Sequence, residues 1–347
     1  MSVHFKDKVS TQVYTDATGF AALRQEWNPL LHHSASDTIF LTWEWQSTWW
    51  EHLGKGELYL VTMRTDRGRL AGIAPLYLTT AEEGLKTLSI VGCRDVSDYL
   101  DLIAGKGQER RVYSALLDWL ESDEAPAWDQ VDLCNIPAAS PTHRLLAEMA
   151  AARGYRVQTE VEDVCPIIPL PSTWDEYLSS LSRKQRHEIR RKIRKAERSG
   201  QIHWYILNEQ HDLAEEMEAF IELHERSDVG KDEFMDAQMK GFFHAAAQAL
   251  QEAGWLQLAF MEVNGQKAAA MLNFDYRDSI LVYNSGYDPE KYARLSPGIV
   301  LLAYCIQHAI ELDRAKFDFL RGDEDYKFRF GAQPTEIYRL LITRNRE

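Results

Sequence analysis

Apolar residues recur at helical spacing along 19–32, where Phe20, Leu23, Trp27, Leu30 and Leu31 fall on one face. An aromatic-rich stretch with similar spacing follows at 43–53. Two strand-like runs, Leu58–Arg64 and Leu70–Thr79, flank the turn signal Asp66-Arg67-Gly68 and predict a hairpin. Shorter runs at Thr87–Val91 and Tyr99–Ala104 lead into a glycine-containing loop, Gly105-Lys106-Gly107. A helix over 109–121 (Val112, Leu116, Leu117, Leu120), a strand at Gln130–Leu133, a helix over 141–153 and a strand at Tyr155–Val161 complete this half.

The second half repeats that order. Helices are predicted at 210–226 and 236–253, the latter carrying Phe242, Phe243, Ala246 and Leu250 on one face. Strands Trp255–Val263 and Ala268–Tyr276 flank Asn264-Gly265, a strong hairpin signal. Strand Ile280–Ser285, a polar loop, helix 297–312 and strand Lys316–Leu320 follow. The two hairpin turns stand about 198 positions apart. The repeated order predicts an α+β chain of two tandem modules, 1–163 and 164–347, with the seam in the proline-bearing segment Pro166, Pro169, Pro171.

Composition agrees with two ordinary domains: 347 residues, 45% apolar and 11% aromatic, enough for two cores and too apolar for a disordered chain. No uninterrupted apolar run reaches the length of about 18 residues that a spanning helix needs. The start, Met1-Ser2-Val3-His4-Phe5-Lys6, has no apolar core of a signal peptide, so the cytoplasm is the expected location, with peripheral contact at the inner membrane face a further expectation. Cys93, Cys134, Cys165 and Cys305 lie far apart and suggest neither a zinc knuckle nor a disulfide framework. The histidines show no metal-binding spacing, so no metal is expected. The tryptophans Trp43, Trp45, Trp49 and Trp50 read as packing residues.

Charge changes the picture at one place. Residues 183–198 hold nine Lys/Arg against two Glu, a local +7 in a chain of net −14, so the remainder carries −21. A polyanion repelled by the acidic body would be found by this segment. Its cations cover every side of a helix, with only Ile189 and Ile193 forming an apolar strip. The segment reads either as a solvated helix docked by that strip and paired with the acidic body, or as a contact for phosphates or an anionic membrane surface.

Two constellations could carry chemistry. The first is Leu295-Ser296-Pro297-Gly298 ahead of an apolar helix: Ser296 suits an N-cap, Pro297 the first helical position, and Gly298 leaves room for an anion at the free N–H groups. The second is Phe317–Gly331, an alternating strand that ends in a dense polar cluster. There Arg321 and Lys327 could hold an anion, Asp323 or Glu324 could accept a proton, and Tyr326 could donate one to a leaving thiolate. Asp323 also suits the cap of a short helix at 324–330.

The run from Phe317 to Gly331 resembles the signature of the GNAT-related acyltransferases that include the CelD cellulose-biosynthesis proteins. Cys165–Pro171 with Trp174 and the basic segment, and Leu295–Gly298, fit the same resemblance, which covers most of 160–340. It implies α/β/α layers with mixed, mostly antiparallel sheets, arranged as two GNAT modules as in the Fem aminoacyltransferases. It also implies direct attack of an amine on an acyl-CoA thioester, acetyl-CoA or another acyl-CoA being the co-substrate and an amino sugar, amino acid or envelope precursor the acceptor. On this analogy Leu295, Ser296 and Gly298 would meet the CoA pyrophosphate, and Tyr283 and Ser285 would line the thioester or acceptor. The usual phosphate loop is altered here: Pro297 stands at its first glycine and offers no N–H, and Ile299 at its last. The counterpart in the first module, Gly105-Lys106-Gly107, lacks the pattern, so a single active site is expected, in the second module. The rival readings are a Fem-like aminoacyl-tRNA-dependent transferase acting on an envelope precursor, and a GNAT-fold scaffold without activity in polysaccharide synthesis.

Overall fold

The structure is a computed structural model and describes residues 9–93, 96–227 and 233–344. It divides into two compact units, Met1–Asp163 with Glu336–Glu347, and Val164–Thr335.

In the first unit, strands β1 (Val9–Tyr14), β2 (Glu57–Thr65), β3 (Leu70–Thr80) and β4 (Lys86–Ile90) form an antiparallel meander. Helices α1 (Thr18–Leu31) and α2 (Trp43–Leu53) lie between β1 and β2 in sequence. The predicted strand at Tyr99–Ala104 shrinks to β5 (Ile103–Ala104), beside β3. Helix α3 (Glu109–Glu121) then carries the chain to β6 (Gln130–Pro137), which runs parallel to β4 from Thr87↔Gln130 to Ser89↔Asp132. A parallel neighbour requires such a crossover. Helix α4 (Thr142–Ala152) and the start of β7 (Arg156–Pro169) follow. Trp27, Trp45, Phe40 and Tyr113 fill the core, so the tryptophan-rich segment packs rather than displays its rings.

Two further features differ from the expectation. Cys93, just after β4, and Cys134, on β6, are joined by a disulfide, because the parallel pairing of their strands makes distant positions neighbours. The chain end, assigned by sequence to the second module, forms part of the first unit from Glu336 onward. Its strand, which the hydropathy reading omits, is paired antiparallel to β6 from Ile337↔Pro137 to Thr343↔Gln130. Ile337, Leu340 and Ile342 are buried there, and Arg339 forks onto Asp132 at 2.8 and 2.9 Å.

In the second unit, helices α5 (Trp174–Ser180) and α6 (Arg183–Ser199) precede β8 (Ile202–Ile206). Ser182 and Gln185 close a capping box at the start of α6. Helices α7 (Leu213–Ser227) and α8 (Ala237–Glu252) lead to the antiparallel strands β9 (Leu256–Val263), β10 (Gln266–Tyr276) and β11 (Ser279–Tyr287). Helix α9 (Pro289–Tyr292) and helix α10 (Pro297–Glu311) connect to β12 (Lys316–Asp318), parallel to β11 and antiparallel to the end of β7. Helix α11 (Asp325–Arg329) and the start of β13 (Gln333–Thr343) close the unit.

Helix α10 is buried by nine residues, Val300, Leu301, Cys305 and Ile306 among them, against Met271, Ile280 and Val282 of the sheet. Ile189 and Ala196 of α6 are buried in the same cluster, and Ile193 packs on it. Helix α7 approaches β11 so closely that a Cβ on Gly286 would stand 2.3 Å from the His224 backbone nitrogen. The His224 side chain, also buried, meets Asn284 Oδ1 at 3.0 Å.

Gly286→Ala is therefore expected to cost about 1–3 kcal/mol by overpacking, read as a lower urea midpoint. A second test concerns His143, which burial and then Arg144 hold below the ordinary imidazole range and whose ring stacks on Tyr338 at 4.3 Å. A depressed imidazole favours the neutral form in the fold, so its contribution is full above the unfolded value and is lost as pH falls. The drop in midpoint between about pH 7.5 and pH 5.5 should shrink in His143→Phe.

Candidate active site

Strands β11 and β12 are paired only from Ser279↔Lys316 to Leu281↔Asp318. Beyond Asp318 the chain keeps its bonds to the end of β7: Phe319 N–H donates to Pro166 O at 2.9 Å and Gly322 N–H to Val164 O at 3.0 Å. β11 meanwhile stays paired with β10 as far as Tyr287. The two parallel strands thus part after Leu281. The parting is fixed locally by Leu320, whose left-handed φ of 55° turns the chain and whose N–H donates to Asp318 Oδ1 at 2.8 Å.

Lys327 holds the turn. Its side chain is buried, and its ammonium donates to the carbonyls of Leu320 (3.4 Å), Arg321 (2.8 Å) and Gly322 (3.0 Å) and meets Glu324 Oε2 at 2.8 Å. The expectation that Lys327 binds an anionic ligand is corrected here: its donors are already engaged by the protein. Gly322 has φ of 111°, a left-handed conformation that favours glycine, and lies close against the Glu324 carboxylate. Glu324, expected as a proton acceptor, is the counter-ion of Lys327 and occupies the N-cap position of α11 without a side-chain capping bond. Asp323, expected as that cap, lies one residue earlier and is exposed. Tyr326 is half-buried; burial first and the Glu324 charge second push its phenol up, so it stays protonated at neutral pH.

The helix start differs from its expectation too. Ser296 sits at the N-cap of α10 with left-handed φ of 53° and no side-chain capping bond. Its carbonyl accepts from Ile299 and Val300 N–H at 3.1 Å, and Pro297 has no N–H. Among the described residues this leaves Gly298 as the donor of that turn without a protein acceptor, and a Cβ at Gly298 would meet nothing within 4 Å. Leu295 ends a 3₁₀ turn and packs on the core. Lys195 Nζ donates to Arg294 O at 2.6 Å, tying α6 to this turn.

Between α6, α10 and α11 lies a cavity of about 560 Å³. Lys184 and Lys192 line it from α6, Ile299 from α10, Tyr326 and Arg329 from α11, and Phe330 from the residue after it. The cavity brings the helix start and Tyr326 together. Tyr283 and Ser285, both expected to line the thioester or acceptor, are separated by a bulge. Leu272 faces Asn284 but Asn273 faces Val282, so Tyr283 is an extra residue. Tyr283 consequently packs at a tilt against the rings of Phe243 of α8 and Phe274, while Ser285 stands opposite Met271 on the α10 face. Alternation along the sequence cannot show such a phase change. Lys184, Lys192 and Arg329 were visible only as part of a charge run or motif.

The basic helix finds few counter-ions. Arg191 pairs with Glu188 at 2.7 Å, Lys192 reaches the same carboxylate at 3.9 Å, and Arg190 reaches Asp175 at 3.8 Å. Arg183, Lys184, Arg194 and Arg198 have no carboxylate within ion-pair distance among the described residues. Burial pushes the Cys305 thiol up to about 12, which removes it as a nucleophile. Among the described residues no cluster of three or more His, Cys, Asp or Glu could hold a metal ion, and no single helix is long and apolar enough to cross a membrane.

Residues 183–328 match the acetyltransferase (GNAT) domain. That segment has the GNAT acetyltransferase fold. No curated protein matches the chain. Among solved structures FemX is similar at a TM-score of 0.66 and 14% identity, over 91% of this chain and 95% of that one. A conserved protein of unknown function from Bacteroides thetaiotaomicron gives 0.61 at 10%, over 96% and 100%. L-PGS from Bacillus licheniformis gives 0.57 at 13%, over 93% and 92%. At such identities these are likenesses of fold.

Removing the Lys327 ammonium would leave three turned carbonyls and a carboxylate without their donor. Lys327→Met should cost about 3–5 kcal/mol in chemical denaturation, whereas the exposed Asp323→Asn should leave the midpoint within about 0.5 kcal/mol.

Proposed function

We propose that the second unit is an N-acyltransferase that moves an acyl group from a CoA thioester to an amine by direct attack. The observation that carries the reading is the parting of β11 and β12 after Leu281, together with the cavity between α6, α10 and α11 that Ile299 and Tyr326 line. The match of 183–328 to the acetyltransferase (GNAT) domain supports it. The amine nitrogen forms a bond to the thioester carbonyl carbon, the carbon–sulfur bond breaks, and the electron pair leaves on sulfur. Tyr326, kept protonated by burial, is the donor to that thiolate. Before attack the acceptor's ammonium gives one proton to Asp323, directly or through water, since Glu324 is held by Lys327; the nitrogen's second proton, shed as the amide forms, restores the Tyr326 phenol. The open space at Gly298 admits a pyrophosphate at the helix start, although with one backbone donor where a glycine in place of Pro297 would add another.

The first unit serves as a non-catalytic module in this reading. Its own parallel pair, β4 and β6, is followed by a segment that lies across β6: Leu100 N–H donates to Asn135 O at 2.9 Å, and Asn135 Nδ2 donates to Ser97 O at 2.6 Å. Asp101 behind it is buried with Ser36 and Thr142 as hydroxyl donors. Protein thus fills the space beside that strand. The resemblance of Phe317–Gly331 to the CelD proteins favours an amino sugar or envelope precursor as acceptor. A Fem-like aminoacyl-tRNA-dependent transfer is the second reading, favoured by the cations of α6 that lack carboxylate partners and by the fold shared with FemX.

Calorimetric titration with CoA and acetyl-CoA is expected to show micromolar binding by the natural chain and none by Gly298→Glu. In acetyl transfer to an amine panel, Tyr326→Phe should lower kcat by about 10²-fold with little change in KM. Absence of CoA binding by the natural chain, or full turnover by Tyr326→Phe, would refute the respective assignment.

A further inference from the structure

The α10 start is short of donors for a pyrophosphate. Ser296 N–H is bonded to Ala293 O, Pro297 has none, and Ile299 and Val300 donate to Ser296 O, which leaves Gly298. Beside it, the cavity between α6, α10 and α11 has cations and few anions. Lys184, Lys192 and Arg329 line it; Arg329 pairs with the exposed Asp325 at 3.3 Å, and Glu188, the one carboxylate among its described walls, accepts from Nε and Nη2 of Arg191 at 2.9 and 2.7 Å and lies 3.9 Å from Lys192 Nζ. Its remaining walls include Ile189, Ile299 and Phe330. A space with an apolar floor and a cationic rim fits a ligand made of an apolar arm joined to phosphate.

We propose that the phosphates of the donor are bound by the side-chain cations Lys184, Lys192 and Arg329 at this cavity, and not chiefly by the backbone of the helix start. The ligand class is a phosphoanhydride carried on a thioester-bearing arm, and in that respect the inference rests on the acyltransferase reading above. Side-chain cations replace the donor that Pro297 removes, and the Lys195 bond to Arg294 O keeps α6 in register with the turn. The same geometry argues against α6 as a membrane-inserting helix. Its apolar residues Ile189 and Ile193 are packed in the protein's own core, so no apolar face remains for a bilayer.

The test is calorimetric titration of the full chain with inorganic pyrophosphate and with CoA, at low and at moderate salt. The variants are Lys184→Ala/Lys192→Ala, Arg329→Ala and, at the far end of the same helix, Arg198→Ala. The expected result is at least a tenfold loss for both ligands in the double variant, a smaller loss in Arg329→Ala, no change in Arg198→Ala, and recovery in Lys192→Arg on the Lys184→Ala background. All the replaced side chains are partly or fully exposed, so the fold should survive, which thermal melts check. If CoA binding is unchanged in the cavity variants but abolished by Gly298→Glu, the inference falls and the acyltransferase reading stands. If pyrophosphate binds in a cavity-dependent way while neither CoA nor acetyl-CoA binds, the inference stands and the CoA reading falls. Equal loss in Arg198→Ala would also overturn the inference, since a diffuse field would then explain the binding. So would no binding of either ligand.

Discussion

Taking an ammonium out of water costs several kcal/mol unless its protons find acceptors, and the second unit arranges its candidate site around one that does. Lys327 gathers the carbonyls of Leu320, Arg321 and Gly322 together with the Glu324 carboxylate. Three consecutive carbonyls can point at one atom only if the strand has ended and the chain has turned, which the left-handed Leu320 and the φ of 111° at Gly322 achieve. The same turn stops β12 after Asp318 and so lets β11 run on without it. The opening between two parallel strands is in this sense a consequence of where a buried positive charge finds its oxygens.

Position along β11 matters as much as the opening. The extra residue at Tyr283 changes the phase of the strand, placing an aromatic ring among Phe243 and Phe274 and turning Ser285 to the α10 face. Gly286 then allows the backbone of α7 to lie against the strand, with His224 reaching Asn284. Neither arrangement tolerates much change, because a bulge removed would rotate every following side chain and a Cβ at Gly286 would meet backbone rather than a movable side chain.

The two units use one topology differently. In each, a parallel pair is reached through a crossover helix, α3 or α10, and in each a left-handed residue follows, Asn135 with φ of 56° or Leu320 with φ of 55°. In the first, Asn135 binds the loop of its own chain at Ser97 and Leu100. In the second, the corresponding turn binds Lys327, and the neighbouring cavity is lined by side chains of α6, α10 and α11. A ligand space and a packed loop are thus alternative ways of meeting the same unpaired strand edge.

What the sequence by itself determined was the order of elements, since helical and strand periods and the Asp66-Arg67-Gly68 and Asn264-Gly265 turns are local properties. It also marked the charge concentration at 183–198 and the two segments, Leu295–Gly298 and Phe317–Gly331, from which the candidate site is built. Tertiary structure decided what those residues do. Lys327 reads as a free cation until burial shows its three carbonyls, and Ser296 reads as a cap until its φ of 53° turns the side chain out of that role. Cys93 and Cys134 read as isolated until the parallel pairing of β4 and β6 makes them neighbours, and the final strand reads as belonging to the second module until Ile337, Leu340 and Ile342 bury themselves beside β6. Each of these depends on residues far apart in the chain meeting in space, and no local period carries that information.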